Sequence, residues 1–258
     1  MNFGLKGKNV LVTGASRGIG KSICKNLINE GCNVLAVSKT QSHLDELKKE
    51  LGENLYTYCI DLTDIGSEYK VLSESGFASE GVDILINNLG DTLGIKDPLC
   101  SWNSWNKVWT VDMKSTIEFT RLIIPYMERM KWGRIVNISS LAGLENQGPV
   151  THCTIKSAIA AYTRCMGRIY AKDGIVISCV HPGAVITEDG HWSKVMQEDP
   201  EHGKNYLKTN CPLGKFGEPD DIGTIVTMLC SQQAKFCQGT IMPVDGGQSK
   251  HFFWTRDY

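Results

Sequence analysis

The chain has 258 residues, of which 41% are hydrophobic and 21% charged, and its formal net charge is -1 at pH 7. This length is ample for one domain with a large core and short for two. The lack of a basic surplus argues against a nucleic acid or an anionic membrane as a partner. No apolar run approaches the ~20 residues that a membrane-spanning helix needs.

The N-terminal residues lead directly into K-N-V-L-V-T-G, so we expect no signal peptide and predict a cytoplasmic protein. The ten cysteines contain no C-x-x-C pair and no spacing typical of a metal site. Several, such as Cys59 and Cys179, fall in apolar strand patterns. We therefore expect buried free thiols rather than disulfides, and no bound metal.

Short β-branched runs alternate with longer helical patterns along the chain. The predicted strands are 9–13, 34–37, 56–60, 84–87, 134–138, 176–180 and 240–244. Continuous apolar strands indicate a sheet covered on both faces, and strands separated by helices indicate a parallel sheet built from βαβ crossovers. The sequence therefore predicts one α/β domain over residues 1–258, with a doubly wound, Rossmann-type parallel sheet flanked by helices.

Two segments depart from this alternation. Residues 188–212 are polar and weakly patterned, and we interpret them as an insertion between the sixth strand and the last helix that covers the substrate site. The tail 250–258 is rich in aromatic residues. It is expected either to pack on a neighbouring subunit or to be unstructured.

A glycine-rich turn, T-G-A-S-R-G-I-G, runs from Thr13 to Gly20 after the first strand and opens a helix. In such a turn Gly14 permits the tight bend, Gly18 lets the backbone approach a pyrophosphate, and Gly20 allows close packing of helix on strand. The preceding strand and the following helix supply the context that this pattern needs. We therefore predict a dinucleotide site.

The end of the second strand predicts which nicotinamide dinucleotide is bound. An NAD-dependent protein places an acidic residue there, on the ribose hydroxyls. This chain has Ser38, Lys39 and Thr40, with no carboxylate until Asp45, and Arg17 projects from the glycine turn toward the same place. Cations and a hydroxyl suit a 2′-phosphate, so NADP(H) is favoured over NAD(H).

The order of these motifs strongly resembles the short-chain dehydrogenase/reductase family in its compact single-domain form. Besides the glycine turn, the chain has C-I-D-L-T-D, N-N-L-G, N-I-S-S-L-A-G, H-P-G-A-V-I-T, P-L-G-K-F-G-E-P-D-D-I and Q-G-T-I-M-P-V-D-G-G, and together they span nearly its whole length. The last two motifs match the family's C-terminal helix and last strand. Because these build the subunit interface in the family, the resemblance implies a homo-oligomer, a tetramer or a dimer.

The resemblance also implies particular site residues. The catalytic serine is Ser140 or, as an alternative, Ser139, and Lys156 is the catalytic lysine. Asp61 and Leu62 would flank the adenine, and Pro182, Gly183 and Thr187 would hold the nicotinamide carboxamide. The implied cofactor-binding set is Gly14, Ser16, Arg17, Gly18, Ile19, Gly20, Ser38, Lys39, Asp61, Leu62, Asn88, Gly90, Lys156, Pro182, Gly183 and Thr187.

The chain departs from the family at two of four catalytic positions. By position, Asp112 stands where the family has asparagine, and His152 stands where it has tyrosine. The segment from Ser140 to His152 also looks one residue shorter than usual. Serine and lysine are retained, so the predicted catalytic set is Ser140, His152, Lys156 and Asp112.

Residues i and i+4 share one helix face, so His152 and Lys156 can reach the same substrate and ribose. A tyrosine with a pKa near ~10 needs the lysine cation, whereas histidine already titrates near ~6.5. Lys156 would lower the pKa of His152 and favour neutral imidazole, which is a base. Asp112 would offset that field and make imidazolium easier to form, restoring an acid for ketone reduction. We hypothesise that the two replacements are coupled.

Three functions fit this sequence. The first is an NADP(H)-dependent oxidoreductase that interconverts a carbonyl and an alcohol, with Asp112 supporting Lys156 through the helix or a water. The second is a dinucleotide-binding protein without turnover. The third is an isomerase or dehydratase that uses a bound cofactor.

The small-molecule substrate is predicted to be sugar-like or otherwise polar. The segments that close such a pocket offer aromatic faces beside carboxylates and amides, which suit a polyhydroxylated ligand. These residues are Trp102, Trp105, Glu145, Asn146, Glu188, Asp189, His191 and Trp192.

Overall fold

The computed structural model describes residues 2–77, 81–145 and 147–250. Its centre is a seven-stranded parallel sheet in the order β3-β2-β1-β4-β5-β6-β7. The strands are β1 (Asn9–Thr13), β2 (Asn33–Ser38), β3 (Leu55–Cys59), β4 (Ile84–Asn87), β5 (Gly133–Ile138), β6 (Ile175–Pro182) and β7 (Ile241–Val244). The predicted doubly wound, single-domain α/β fold is confirmed, with each strand within two residues of its predicted bounds.

Helices cover both faces of the sheet. They are α1 (Gly18–Asn29), α2 (Gln41–Leu51), α3 (Ser67–Glu74), α4 (Trp102–Trp109), α5 (Ser115–Met130), α6 (Ala142–Glu145), α7 (Val150–Tyr170), α8 (His191–Glu198), α9 (Pro200–Asn210) and α10 (Pro219–Cys230). Apolar residues of α1, α2 and α10 form the core on one face. Residues of α3 and α5, with others at the end of α7, form the core on the opposite face.

The strand order reverses between β1 and β4, which both lie beside the centre of the sheet. The connections after these two strands leave toward opposite faces, so a crevice opens above their carboxyl ends. Ligands of open α/β sheets bind in that crevice. The glycine turn follows β1 and N-N-L-G ends β4, so both motifs lie at this point.

Residues 188–212 are more ordered in secondary structure than the sequence suggested, since most of them form α8 and α9. The Asp199 side chain accepts the His202 backbone N–H at 3.0 Å, and Pro200 occupies the first turn of α9. These capping signals end one helix and start the next. The apolar stripes of both helices are short, which is why their periodicity was weak.

All ten cysteines are free thiols, as expected, but not all are buried. Cys59 is exposed because β3 is an edge strand, and Cys165 is exposed on α7. No helix in the described ranges is long and apolar enough to cross a membrane. Residues 251–258, where the aromatic tail was predicted, lie outside the described residues.

His181, near the end of β6, is a buried polar group that motif analysis did not single out. It is 0% exposed, and neither ring nitrogen has a hydrogen-bond partner among the described residues. Burial lowers its pKa from 6.5 to about 4, and the nearby cations Lys156 and Arg164 act in the same direction while the Ser140 backbone opposes them. The folded protein therefore holds this ring neutral.

This neutral histidine predicts a loss of stability in mild acid. Below the unfolded pKa of 6.5 the unfolded chain binds a proton that the folded chain refuses until about pH 4, so stability falls by up to about 1.4 kcal/mol per pH unit. We expect His181→Asn to reduce the drop in unfolding free energy between pH 7.5 and 5.5, measured by urea denaturation, by about 1 kcal/mol. The exposed His202→Asn is the control and should leave the drop unchanged. An equal drop in wild type and His181→Asn would contradict this account.

Candidate active site

The glycine turn has the backbone conformation that its sequence requires. Gly14 and Gly18 have φ angles of +61° and +54°, a region that disfavours side chains. A Cβ on Gly20 would lie 2.2 Å from the Gly14 carbonyl oxygen, and one on Gly18 would lie 3.2 Å from Thr187 Cγ2. The turn is thus a close-fitting cradle at the start of α1, with Thr187 directly against it.

Asn88 and Thr13 fix this turn to the end of β4. Asn88 Nδ2 donates to the carbonyl oxygens of Thr13 and Gly14, each at 3.0 Å. In return, Thr13 Oγ1 accepts the backbone N–H groups of Asn88 and Leu89 at 3.0 Å. The two sides of the crevice are therefore held together by hydrogen bonds before any ligand binds.

Polar side chains surround the predicted 2′ position. Ser16 Oγ and Ser38 Oγ share a hydrogen bond of 2.8 Å. Arg17 and Lys39 are exposed, and neither forms a salt bridge with a described residue. Asp45 accepts a hydrogen bond from Gln41 and does not line the cavity.

Lys114 holds the loop that follows β3. Its Nζ donates to the carbonyl oxygens of Leu62 at 3.3 Å and Asp64 at 2.9 Å, and it lies 2.9 Å from the carboxylate of Glu68. Glu68 is only 2% exposed. Asp61 and Leu62, the predicted adenine-flanking residues, are in this anchored loop. Thr63 donates two hydrogen bonds to Asp61, which lowers the pKa of that carboxyl.

The two serines after β5 have different environments. Ser139 is buried, and its Oγ donates to the Lys156 carbonyl oxygen at 2.8 Å. Ser140 is partly exposed to the cavity, and its Oγ accepts the Ala142 backbone N–H at 3.1 Å. The Ser139 hydroxyl proton is thus engaged by helix α7, whereas that of Ser140 can be donated to a ligand.

Lys156 and Asp112 form a buried ion pair. Lys156 Nζ lies 2.6 Å from Asp112 Oδ1, with side-chain exposures of 5% and 0%. Asp112 Oδ2 also accepts the Asp91 backbone N–H at 3.2 Å. Asp112 was expected to act on Lys156 through the helix or a water, and the contact is direct instead. A Cβ on Gly90 would come within 2.6 Å of Lys156 Nζ and 2.7 Å of Asp112 Oδ1, so a side chain at this position would displace the ends of this pair.

Asp112 reaches Lys156 from an irregular part of its helix. Residues Thr110–Lys114 form a π-helical stretch between α4 and α5. Such stretches widen a helix by one residue and occur often at functional sites. The extra residue changes which side chains face α7, and Asp112 is one of them.

His152 is held as neutral imidazole. Its pKa is lowered from 6.5 to about 4, chiefly by burial and also by the Lys156 cation, while the Asp112 and Asp91 carboxylates act in the opposite direction. Both charges act in the directions that the sequence predicted, but burial outweighs the carboxylates. The two carboxylates therefore raise the pKa of His152 too little to restore the expected imidazolium acid. Its Nδ1 is buried without a partner among the described residues, which leaves Nε2 for the cavity.

One cavity of about 910 Å³ joins these parts. It is lined by every predicted cofactor-binding residue, from Gly14 in the turn to Thr187 after β6, and by Ser140 and His152. Asp112 is the one predicted catalytic residue outside the lining, since it lies behind Lys156. Among the described residues, no group of three His, Cys, Asp or Glu side chains could hold a metal ion.

The outer wall agrees only partly with the predicted substrate residues. Trp192, Glu188 and Asp189 line the cavity, but Trp102, Trp105, Glu145 and His191 do not. Trp102 is largely exposed, and Asn146 lies outside the described residues. The charged or amide lining residues that the motifs did not indicate are His43, Asp91, Asn106 and Lys107. Asp91 directly follows N-N-L-G, and its position beside that motif is the sequence feature that could have identified it.

The glycine turn lies where the strand order of the doubly wound sheet reverses, and the cavity that it lines extends to a serine, a histidine and a lysine. This arrangement is typical of the dinucleotide-dependent oxidoreductase class of protein. The family model described as short chain dehydrogenase matches residues 8–196. This chain belongs to the short-chain dehydrogenase family.

Known relatives and structures match almost the full length. The chain is 31% identical over 252 residues to a 3-oxoacyl-(acyl-carrier-protein) reductase of Aquifex aeolicus, covering 96% of this chain and 99% of the relative. It is 30% identical to L-xylulose reductase of Caenorhabditis elegans, with coverage of 97% and 99%. A 3-oxoacyl-(acyl-carrier-protein) reductase structure from Agrobacterium tumefaciens, with NADP bound, has a TM-score of 0.89, 26% identity and coverage of 95% and 96%. These similarities support a general oxidoreductase role.

Proposed function

We propose that this protein is an NADP(H)-dependent oxidoreductase that interconverts a carbonyl and an alcohol. The observation that carries the proposal is the single cavity that connects the glycine cradle to Ser140, His152 and Lys156. A dinucleotide long enough to reach from the cradle would end beside these three side chains.

The residues of the cavity fit such a cofactor. The turn at Gly14, Gly18 and Gly20 would hold the diphosphate, because it lies at the N-terminus of α1, where backbone N–H groups favour an anion, and lines the cavity. Lys156 would hold the nicotinamide ribose, and Thr187, which lies against Gly18, would hold the carboxamide. When bound, the nicotinamide supplies hydride exchange with the substrate carbon.

The preference for NADP(H) is supported by the charges near Ser38. Arg17 and Lys39 are exposed cations at that end of the cavity, and His43 lines the same wall. The Agrobacterium structure was solved with NADP bound. Asp45, the first carboxylate after β2, lies outside the lining and would not meet a ribose hydroxyl there.

Ser140 and His152 would handle the substrate oxygen. Ser140 Oγ accepts from Ala142 N–H, so its proton can be donated to that oxygen and orient it. In alcohol oxidation, neutral His152 Nε2 would accept the hydroxyl proton. In carbonyl reduction, the protonated ring would return that proton to the same oxygen. Asp112 raises the pKa of His152 and so moderates the effect of Lys156.

The outer wall favours a polyhydroxylated substrate. Trp192 offers an aromatic face, while Glu188, Asp189 and Asp91 offer carboxylates that can accept hydrogen bonds from hydroxyl groups. Among the relatives, the nematode protein is an L-xylulose reductase, whereas the Aquifex protein is a 3-oxoacyl-(acyl-carrier-protein) reductase. A sugar-like carbonyl compound suits this wall better than a long acyl chain.

A turnover screen tests the proposed function. We expect wild-type protein to oxidise NADPH with at least one keto-sugar, or to reduce NADP⁺ with a polyol, in an absorbance assay that also includes simple ketones and acyl thioesters. His152→Phe should lower kcat by roughly 10²- to 10⁴-fold, because it removes the proton carrier. NADPH binding without turnover of any compound would instead support a dinucleotide-binding protein. Product with no net change in NADPH would support an isomerase or dehydratase.

The coupling of Asp112 with His152 gives a second prediction. Since Asp112 raises the pKa of His152, Asp112→Asn should lower it below about 4 and so lower the pH at which carbonyl reduction is lost. The pH dependence of kcat/KM is the measurement, with an NMR titration of the His152 ring beside it. An unchanged profile and titration would contradict the coupling.

A matched pair of variants tests the same coupling from the other side. His152→Tyr puts a phenol beside a lysine whose charge is engaged by Asp112. Adding Asp112→Asn frees that charge to stabilise the phenolate. We expect the double variant to exceed His152→Tyr in kcat/KM by about tenfold, a non-additivity typical of interacting residues. Asp112→Asn alone completes the cycle, and the same change in kcat/KM on adding Asp112→Asn to wild type and to His152→Tyr would argue that the two positions are independent.

A charge reversal at Lys39 tests the proposed cofactor preference. Lys39→Glu replaces a cation with a charge that repels a 2′-phosphate, at a cost of about 1.5–3 kcal/mol for the lost charged hydrogen bond. The ratio of NADPH to NADH dissociation constants, from fluorescence titration, should rise by about tenfold or more. Lys70→Glu, at an exposed position on α3, is the control. A similar change in both variants would mean that net charge alone sets the ratio.

A further inference from the structure

The residues that follow β7 fold back beneath the active-site cavity. Asp245 directs this turn, since its carboxylate accepts the backbone N–H groups of Gly247 at 3.0 Å and Ser249 at 2.8 Å. Gly246 and Gly247 have φ angles of +63° and +83°, which only glycine adopts at low cost. The turn places Gln248 behind the loop that leaves β6.

Gln248 bonds to three separate segments. It is 3% exposed, and its Oε1 accepts the Ala184 backbone N–H at 2.8 Å. Its Nε2 donates to the Tyr206 hydroxyl, and to Gln147 Oε1 at 3.4 Å. A Cβ on Gly183 would lie 2.9 Å from Gln248 Oε1, so the loop and the amide fit closely.

Tyr206 links Gln248 to the outer wall of the cavity. Its ring, on α9, lies 4.0 Å between centroids from Trp192 on α8. Trp192 also packs against Phe216 at 5.0 Å and lines the cavity. The position of Trp192 therefore depends on Tyr206, and that of Tyr206 on Gln248.

A second set of bonds joins the same turn to the segment after the candidate serine. Glu145 Oε1, at the end of α6, accepts Ser249 Oγ at 2.8 Å and the Lys250 backbone N–H at 3.0 Å. Residues 245–250 thus connect α6, the loop after β6 and the two helices α8 and α9. Of these, the loop after β6 and Trp192 of α8 line the substrate end of the cavity, and α6 and α9 pack behind them.

We propose that Gln248 is a positioning residue that sets the substrate side of the active site. It holds Trp192 and the Ala184 loop in the one arrangement that receives a substrate, and it touches neither the glycine turn nor His152. This inference rests on the proposed function. Losing the amide would leave the Ala184 N–H unpaired and free Tyr206, so it would weaken substrate binding more than proton transfer.

Gln248→Met tests this role, because methionine keeps the length of the side chain and removes its hydrogen bonds. Gln233→Met is the matched control, since Gln233 is exposed and donates only to the Asn2 carbonyl among the described residues. Tyr206→Phe removes one of the bonds and keeps a ring beside Trp192. The readouts are hydrogen exchange of residues 183–207, the NADPH dissociation constant, and KM and kcat for the best carbonyl substrate of the screen.

We expect Gln248→Met to speed exchange in 183–207 and to raise KM by about tenfold, with kcat within about threefold of wild type and a smaller effect on the NADPH dissociation constant than on KM. Tyr206→Phe should give a smaller KM effect, and Gln233→Met none. Unchanged exchange, or a loss confined to kcat or NADPH affinity in an active protein, would overturn this inference alone. A wild type that turns over no carbonyl would instead remove the proposed function, and this inference with it.

Discussion

The buried ion pair between Lys156 and Asp112 is the interaction on which the candidate site depends. Its two charges are 2.6 Å apart, with exposures of 5% and 0%. Removing one partner of such a pair leaves an uncompensated buried charge, which costs about 3–5 kcal/mol. The pair also joins three segments, because Asp91 donates its N–H to Asp112 and Gly90 leaves the space that both side chains need. The pair therefore ties α7, which also carries His152, to the segments that carry Asp112 and Asp91.

The π-helical stretch Thr110–Lys114 connects this pair to the opposite end of the cavity. Asp112 faces Lys156, while Lys114, two residues later, binds Glu68 and the carbonyl oxygens of the loop after β3. That loop carries Asp61 and Leu62, the predicted neighbours of the adenine. One short, irregular element therefore supports both ends of the proposed cofactor site. A displacement of this element would move side chains at both ends.

The fold could be predicted from the sequence because its signals are local. Each strand is a continuous apolar run, and the glycines of the turn indicate its backbone conformation. Helices α8 and α9 were missed because their apolar stripes are short. The direct contact of Asp112 with Lys156 could not be read from residues that are far apart in sequence. The pKa of His152, about 4, depends mainly on burial, which local patterns do not reveal.

Under the proposed function, the two departures from the family pattern make one physical arrangement. A tyrosine needs the full field of the lysine, since its pKa near ~10 must fall before it can exchange a proton at neutral pH. A histidine at this position instead needs a group that raises its pKa, because burial and Lys156 already lower that pKa to about 4. An asparagine at position 112 would leave Lys156 unopposed and lower it further. The Asp112 carboxylate offsets part of the effect of Lys156 on the pKa of His152. The imidazole can therefore still both accept and return a proton.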